Sequence, residues 1–436
     1  MVAQALADRL SRRGIHYGWV IVAVTFLTSL TMAGAMGLPG ALILPLSREF
    51  GWDIAEISSA IAIRLVLFGL MAPVAAALIE SYGVRRTVIA AITLIVSGLL
   101  LALVMTQMWH LLVLLWGIVV GIGTGMTALV LGAIIATRWF VARRGLVVGM
   151  LTASSATGQL VFLPVAAWLV DHVGWRFALV PTIGALIAVG LLVVVFMRDR
   201  PSDLGLVPFG EEPTVAKGAV GAQPPAFTWA VNWAFTVLRD AASSPTFWVL
   251  AGTFFICGLS TNGLIQSHFI SLCADYGMPA VEAASTLAMM GMFDVVGTIG
   301  SGWLSDRYDS RALLCWYYGL RGLSLLFLPY STFTLYGLSL FAAFYGLDWI
   351  ATVPPTVRLA TQSFGRERSG VVFGWIFASH QIGAAVAAFG GGLSRSALDS
   401  YLPAFFFAGS MCLVAAAIVW MIGRPPAAVV PAAASA

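Results

Sequence analysis

The stretch Gly302-Trp303-Leu304-Ser305-Asp306-Arg307-Tyr308-Asp309-Ser310-Arg311 closes one long apolar run and opens the next. An earlier stretch, Ala76-Ala77-Leu78-Ile79-Glu80-Ser81-Tyr82-Gly83-Val84-Arg85-Arg86, has the same make-up. Each carries a small residue, a leucine, an acid at a helix end and arginines a few positions on. A second pair of segments matches at a similar offset: Gly145, Gly149, Ala153, Ser154 and Gly158 find identical partners in Gly370, Gly374, Ala378, Ser379 and Gly383. Self-similarity at one spacing marks an internal duplication. Glycines four apart are expected to let helix backbones approach closely at a moving interface in lipid.

Around these segments the chain is overwhelmingly apolar. Of its 436 residues, 60% are hydrophobic and 10% charged, with a mean hydropathy of +0.94. Soluble domains carry about 25% charged residues, so an ordinary soluble enzyme is excluded. Disorder, coiled coil and collagen need high charge or strict short repeats and are excluded too. The composition describes an all-α membrane protein. At roughly 20 apolar residues per crossing the length allows about a dozen spans. Apolar runs read against charged or Pro/Gly breaks give twelve: 17–42, 55–80, 87–107, 110–137, 145–170, 176–197, 246–272, 280–304, 312–331, 334–361, 369–393 and 402–423. The first run, after Arg9, Arg12 and Arg13, is too long for a signal peptide and reads as an uncleaved span.

The stretch from Pro201 to Ser244 holds Pro201, Pro208, Pro213, Pro224, Pro225, Glu211 and Glu212 and reads as a linker. Within it, Phe227, Val231, Phe235 and Leu238 at helical spacing predict a short helix on the membrane surface. The organisation is therefore a six-helix bundle over 1–200, a linker over 201–244 and a second six-helix bundle over 245–436. Arg85, Arg86, Arg138, Arg143, Arg144, Arg198, Arg200, Arg307, Arg311, Arg366, Arg368 and Arg424 fall on the side of the termini. Only Arg48, Arg176 and Arg395 occupy the opposite loops. By the positive-inside rule both termini, and the linker, are cytoplasmic.

Scattered arginines, with Lys217 the only lysine, form no nucleic-acid patch. Cys257, Cys273, Cys315 and Cys412 are far apart and read as small apolar fillers, with no metal-ligand spacing or disulfide framework. No cofactor is called for. An embedded enzyme would need a nucleophile–base pair or a metal set at one depth, and none is visible.

Two bundles related by a repeat, with a linker between them, imply alternating access around a central site near the midplane. Ionisable groups in mid-span cost a few kcal/mol, so each invites a functional reading. They are Arg64 in span 2, Asp294 in span 8, Arg321 in span 9, Asp348 in span 10 and His380 in span 11, with Arg358 nearer the end of span 10. Asp294 and Asp348 are candidates for proton coupling, because a carboxylate kept from water favours its neutral form and a neighbouring arginine or bound anion reverses that. Arg64 and His380 are expected to meet a negatively charged substrate. Arg321 is expected to form a structural ion pair with Asp348 or Asp294. Asn262 and Gln266, four apart in span 7, and Asp348 are further substrate-site candidates. Thr25, Thr28, Thr31, Thr124 and Thr127 are weaker ones, since threonines bond their own helix. His268 is expected at the interface. Pro354-Pro355 predict a kink in span 10. The titrating side chains are expected to face one hydrated chamber between the bundles rather than one another.

Gly302 to Arg311 resembles the signature loop of the major facilitator superfamily, and the resemblance extends over essentially the whole chain. It implies twelve transmembrane helices in two pseudo-symmetric bundles. Glu80, Arg85, Asp306, Arg307 and Arg311 would then gate the cytoplasmic side, with Glu80 and Ala76 as departures from the usual Asp and Gly. His16-Tyr17-Gly18-Trp19-Val20 and Phe293-Asp294-Val295-Val296 resemble the monocarboxylate transporter and oxalate/formate antiporter branch. That implies a small carboxylate moved with a proton or exchanged for another anion, with Asp294 as the coupling acid. The branch's cation after that aspartate is Thr298 here, and its span 1 lysine is Gly40, so Arg64 and His380 must supply the positive charge. The sequence thus predicts a monomeric secondary transporter of the inner or plasma membrane, with lipid, protons and a small organic anion as partners. Proton-driven efflux of an amphiphilic or cationic compound is the alternative.

Overall fold

Lipid offers no hydrogen bonds, so an apolar run must satisfy its own N–H and C=O groups, and helices follow. The computed structural model describes residues 2–105, 112–127, 130–211, 227–305 and 307–423. Among the described residues the only β-type pairing is an isolated bridge between Phe140 and Phe209. A short helix α1 (Val2–Ser11) precedes α2 (Gly18–Phe50), α3 (Ile54–Tyr82) and α4 (Val84–Leu103), which are spans 1 to 3. Span 4 is built in pieces: a π-helical segment Leu112–Val120, α5 (Gly121–Gly125) and α6 (Val130–Trp139). Spans 5 and 6 are α7 (Arg144–His172) and α8 (Trp175–Phe196).

The second half opens with α9 (Phe227–Ala242), where the surface helix is expected. Span 7 runs through α10 (Pro245–Gly258), a π-helical segment Leu259–Ile265 and α11 (Gln266–Asp275). Spans 8 and 9 are α12 (Ala280–Ser305) and α13 (Ser310–Phe327). Span 10 is divided into α14 (Ser339–Asp348) and α15 (Val353–Phe364), and spans 11 and 12 are α16 (Arg366–Leu398) and α17 (Leu402–Ile418). Among the described residues nine of the spans, with the pieces of span 7 taken together, are long and apolar enough to cross a membrane. The other three expected spans are also helical: spans 4 and 10 are broken, and span 5 has its apolar stretch at Val161–His172. Span 10 starts later than its hydropathy predicts, because Thr334 ties residues 334–338 into a turn through Gly337 N and Leu338 N.

Two apolar cores form. One gathers residues from Ala3 to Leu204 and borrows Ala384, Ala385 and Ala388 of α16. The other gathers Val237 to Ile422 and borrows Ala41, Ala72, Leu163 and Ala167. The halves meet where α3 packs on α16 and α7 on α12, which are equivalent pairs under the repeat, and where α2 meets α11.

The duplication survives at the level of single contacts. A Cβ on Gly158 of span 5 would lie 2.2 Å from Leu30 O of span 1. A Cβ on Gly383 of span 11 would lie 2.0 Å from Phe255 O of span 7. These four residues are partners at the same offset that aligns the duplicated segments. The neighbouring matches behave differently: a methyl added at Gly149, Gly370 or Gly374 would meet nothing within 4 Å, so these glycines face open space and build no close crossing. Among the matched glycines described, Gly158 and Gly383 are the pair that meets another span's backbone.

On the side away from the termini the halves touch directly. Ser396 Oγ donates to Asp53 at the head of α3 and accepts from Ala55 N at 3.2 Å. One turn on, Gly392 lies so close to Ser58 that a Cβ would sit 2.2 Å from its Oγ. On the terminus side α9 lies between the halves. Phe227 packs on Tyr82 of α3, Ala234 O accepts Trp375 Nε1 of α16 at 2.9 Å, and Asp240 pairs with Arg368 at 2.9 Å.

Candidate functional site

Proline cannot donate a backbone hydrogen bond and clashes with the carbonyl four residues earlier. Pro354 and Pro355 therefore strip Ile350 O and Ala351 O of their helical partners, and span 10 breaks between Asp348 and Val353. Buried backbone groups must find other partners, and the intramembrane charges supply several of them. Arg321 Nη2 donates to Asp348 O and, at 3.1 Å, to Trp349 O. Asp294 Oδ1 accepts Ile350 N at 2.9 Å. Ser301 Oγ donates to Ala351 O at 2.5 Å, and Val353 N closes on Ile350 O at 2.9 Å.

The same arginine holds a carboxylate. Arg321 Nε donates to Asp348 Oδ2 at 2.7 Å, and its Nη1 lies 2.9 Å from Cys257 Sγ. Asp348 Oδ1 has no partner among the described residues. Asp294 Oδ1 also accepts from Thr298 Oγ1 at 3.0 Å. Asp294 is 4%, Arg321 1% and Asp348 6% exposed, so the cluster is sealed in protein. Its physical character is a broken helix whose free amide and carbonyls are bonded by one acid and one arginine from neighbouring spans.

The first half has a simpler version of the same device. Pro39 breaks the hydrogen-bond ladder of span 1, and Arg64 from span 2 gives Nη1 to Ala35 O at 3.4 Å and Nη2 to Met36 O at 3.1 Å. Arg64 is 3% exposed, no described acid pairs with it, and its Nε has no partner among the described residues. His380 lies between Phe254 and Phe377, with ring centroids 4.9 and 5.7 Å away, and its Nδ1 has no described partner.

Several expectations need revision. Asp294, Arg64 and His380 do not line a hydrated chamber in this conformation: the first meets the span 10 backbone, the second the span 1 backbone, and the third two aromatic rings. All three are buried, Arg64 and His380 on the two spans, 2 and 11, along which the halves are in contact. His268, expected at the interface, is fully buried in protein, with Nε2 2.6 Å from Ala388 O and its ring against Tyr401. Cys257 is more than a filler, since its sulfur faces the Arg321 guanidinium. Gln266 is buried at the start of α11, its carbonyl against Gly40, whereas Asn262 sits in the π-helical segment and its carbonyl accepts Ser267 Oγ at 2.9 Å. Thr28, Thr31 and Thr124 bond carbonyls of their own helices.

Among the described residues, the contacts of Arg85, Arg307 and Arg311 fall within their own halves. Arg85 donates its backbone N–H to Asp199 Oδ1 at 2.9 Å and its guanidinium to Val194 O. Arg311 grips Asp309 and Ile422 O, and Arg307 lies over the Trp303 ring. Asp306 and the side chain of Glu80 lie outside the described residues. An open cleft of about 680 Å³ lies at this end of the first half, lined by Arg85, Arg86, Arg138, Arg200, Asp199 and Asp203. Gln381 was not singled out in the sequence; it is fully buried beside His380. A neutral amide carries no charge to mark it in a hydropathy reading.

Two packed six-helix bundles with buried charges at broken helices define a polytopic membrane carrier. The profile of the Major Facilitator Superfamily matches residues 21–388, and the chain belongs to that superfamily: it is a transporter, not an enzyme. An uncharacterised MFS-type transporter, YcxA, of Bacillus subtilis is 25% identical over 390 residues, covering 88% of this chain and 90% of that one. Monocarboxylate transporter 13 of Bos taurus is 26% identical over 410 residues, covering 92% and 88%. Among solved structures, the xylose transporter XylE of E. coli in a partially occluded inward-open conformation superposes with a TM-score of 0.67. It is 12% identical and covers 94% of this chain and all of that one.

Proposed function

We propose that the protein is a proton-coupled carrier of a small organic anion of the monocarboxylate type, working by alternating access as symporter or exchanger. The observation that carries this reading is the bond from Ile350 N to Asp294 Oδ1, which attaches an ionisable side chain to the break in span 10. Protonating Asp294 removes its charge and weakens its hold on that amide, so the proton and the angle of span 10 are linked. Asp348 is already neutralised by Arg321, which favours Asp294 as the coupling acid. Arg64 is a cation with no acid beside it among the described residues, which favours an anionic substrate met where Pro39 interrupts the hydrogen-bond ladder of span 1, with His380 on the opposite half. The low-identity monocarboxylate transporter relatives support the same substrate class. Asn262, Gln266 and Asp348 complete the proposed substrate site, and Glu80, Arg85, Asp306, Arg307 and Arg311 the proposed gate. The protein acts as a monomer in the inner or plasma membrane with both termini and the linker cytoplasmic.

The test is uptake of labelled butyrate into proteoliposomes under an imposed pH gradient. Asp294→Asn is expected to abolish gradient-driven uptake while counterflow exchange persists. Arg64→Gln is expected to weaken butyrate affinity by roughly tenfold, the loss of one charge-assisted contact. Undiminished pH-driven uptake by Asp294→Asn removes the coupling role. Competition by amphiphilic cations and not by carboxylates transfers the protein to the efflux reading.

A further inference from the structure

Span 8 carries a narrow polar stripe. Asp294, Thr298, Ser301 and Ser305 are spaced four, three and four apart, so they fall on a single face of α12. The row ends at the last residue of the helix, on the side of the termini. At a rise of about 1.5 Å per residue it runs about 17 Å from the acid. That is half of a hydrocarbon core about 30 Å thick. In the other direction from Asp294 the same face holds Gly291, Met290, Leu287 and Ala283, all buried and none with a hydroxyl. Along this helix the polar groups lead away from the acid one way only.

Threonines in spans usually bond a carbonyl of their own helix, as Thr253, Thr286 and Thr361 do in this half. Thr298 differs: its Oγ1 donates to the Asp294 carboxylate at 3.0 Å. Ser301 and Ser305 are both buried. Ser301 Oγ donates at 2.5 Å to Ala351 O, a carbonyl freed by the break in span 10, and Ser305 Oγ at 2.7 Å to Ser301 O. The row thus faces span 10 and not the seam between the halves. Of the other titratable groups described near it, Arg321 and Asp348 are paired with each other, and Tyr317 of span 9 reaches Ser301.

A hydroxyl both donates and accepts. Thr298 can therefore bond Asp294 in either protonation state, giving its proton to the carboxylate or accepting one from the acid. We propose that Thr298, Ser301 and Ser305 form the route by which the Asp294 proton reaches the side of the termini, passing through the second half and not through the gap between the halves. The inference rests on Asp294 as the coupling acid. In each hop an oxygen takes up one proton and releases its own. The O–H bond broken on Asp294 is thus balanced by one formed on water at the end of α12. Stripe neighbours on a helix lie about 5–6 Å apart, so a water bridges each gap. Ser301 and Ser305 turn from their carbonyls as the proton passes.

The experiment follows the Asp294 carboxyl by time-resolved infrared difference spectroscopy after a jump from acid to alkaline pH. It uses the purified full chain in lipid nanodiscs, without substrate. The acid C=O band is assigned by its loss in Asp294→Asn. Thr298→Val is expected to slow the decay of that band roughly a hundredfold, the usual worth of one positioned proton-transfer group. Ser301→Ala should slow it too, whereas Thr298→Ser, which keeps the hydroxyl, should match the wild type. Thr286→Val removes the nearest hydroxyl of α12 in the opposite direction and should leave the rate unchanged. A wild-type rate in Thr298→Val or in Ser301→Ala overturns the inference and leaves the coupling reading intact. Slowing in Thr298→Ser as large as in Thr298→Val would mean that shape and not the hydroxyl matters, and overturns it as well. So does equal slowing in Thr286→Val, which would remove the direction of the route. A wild type with no Asp294-dependent band overturns the coupling reading and this inference with it.

Discussion

Arg321 serves the fold through three contacts at once: the Asp348 carboxylate, the Cys257 sulfur and the carbonyls released by the break in span 10. Removing one partner of a buried ion pair strands the other, at about 3–5 kcal/mol, whereas replacing both by apolar groups is often nearly neutral. Arg321→Leu is therefore expected to lose about that much stability in a detergent unfolding experiment. Arg321→Met combined with Asp348→Leu should recover most of it. If the double variant also keeps pH-driven uptake, the proton site is Asp294 alone. A double variant no more stable than the single one would show that the carbonyl contacts, rather than the ion pair, carry the energy. These charges were legible in the sequence because an ion in mid-span is expensive wherever it sits. Their partners were not: Cys257 looks like any small apolar residue, and the amide of Ile350 becomes a donor only once the helix breaks.

At the scale of the element, glycine and proline decide how spans cross and where they bend. The repeat pairs Gly158 with Gly383, and both lie against a backbone carbonyl; Gly374 belongs to the same matched segment and faces open space. Gly383→Leu is expected to overpack the crossing of spans 7 and 11, costing about 1–3 kcal/mol or more. Gly374→Leu should stay within about 0.5 kcal/mol of wild type. Equal melting temperatures for the two variants would contradict the assigned crossing. The paired prolines of span 10 predicted a kink, and the helix is broken there. Span 4 is also interrupted, after Gly125, without any proline at that point. Its break was invisible in the sequence because glycine-rich apolar runs look the same whether wound as α-helix or distorted by packing.

The whole molecule is held shut on the side away from the termini by the head of α3 and the tail of α16. If alternating access operates, those ends must separate once per cycle. A disulfide between Asp53→Cys and Ser396→Cys is expected to stop transport and a reductant to restore it. The native cysteines offer little background, since Cys257, Cys273 and Cys412 are buried and Cys315 is only partly exposed. Full activity of the oxidised, crosslinked protein would mean that this contact does not open. On the opposite side α9 touches both α3 and α16, so parting the halves there must strain or release the Ala234–Trp375 and Asp240–Arg368 contacts.

The amino-acid sequence alone determined that this chain lies in a membrane, that its spans come as two copies of six, and which buried residues are ionisable. Each of those properties is local or periodic: hydropathy belongs to a window, and a duplication to a fixed offset. Only the tertiary structure decided that Arg64 meets the carbonyls of span 1, that Asp294 meets the amide of Ile350, and that Gln381 comes to rest unbonded against Gly69. Those encounters join residues from different spans, and which groups are free to meet depends on where packed helices lose their own hydrogen bonds.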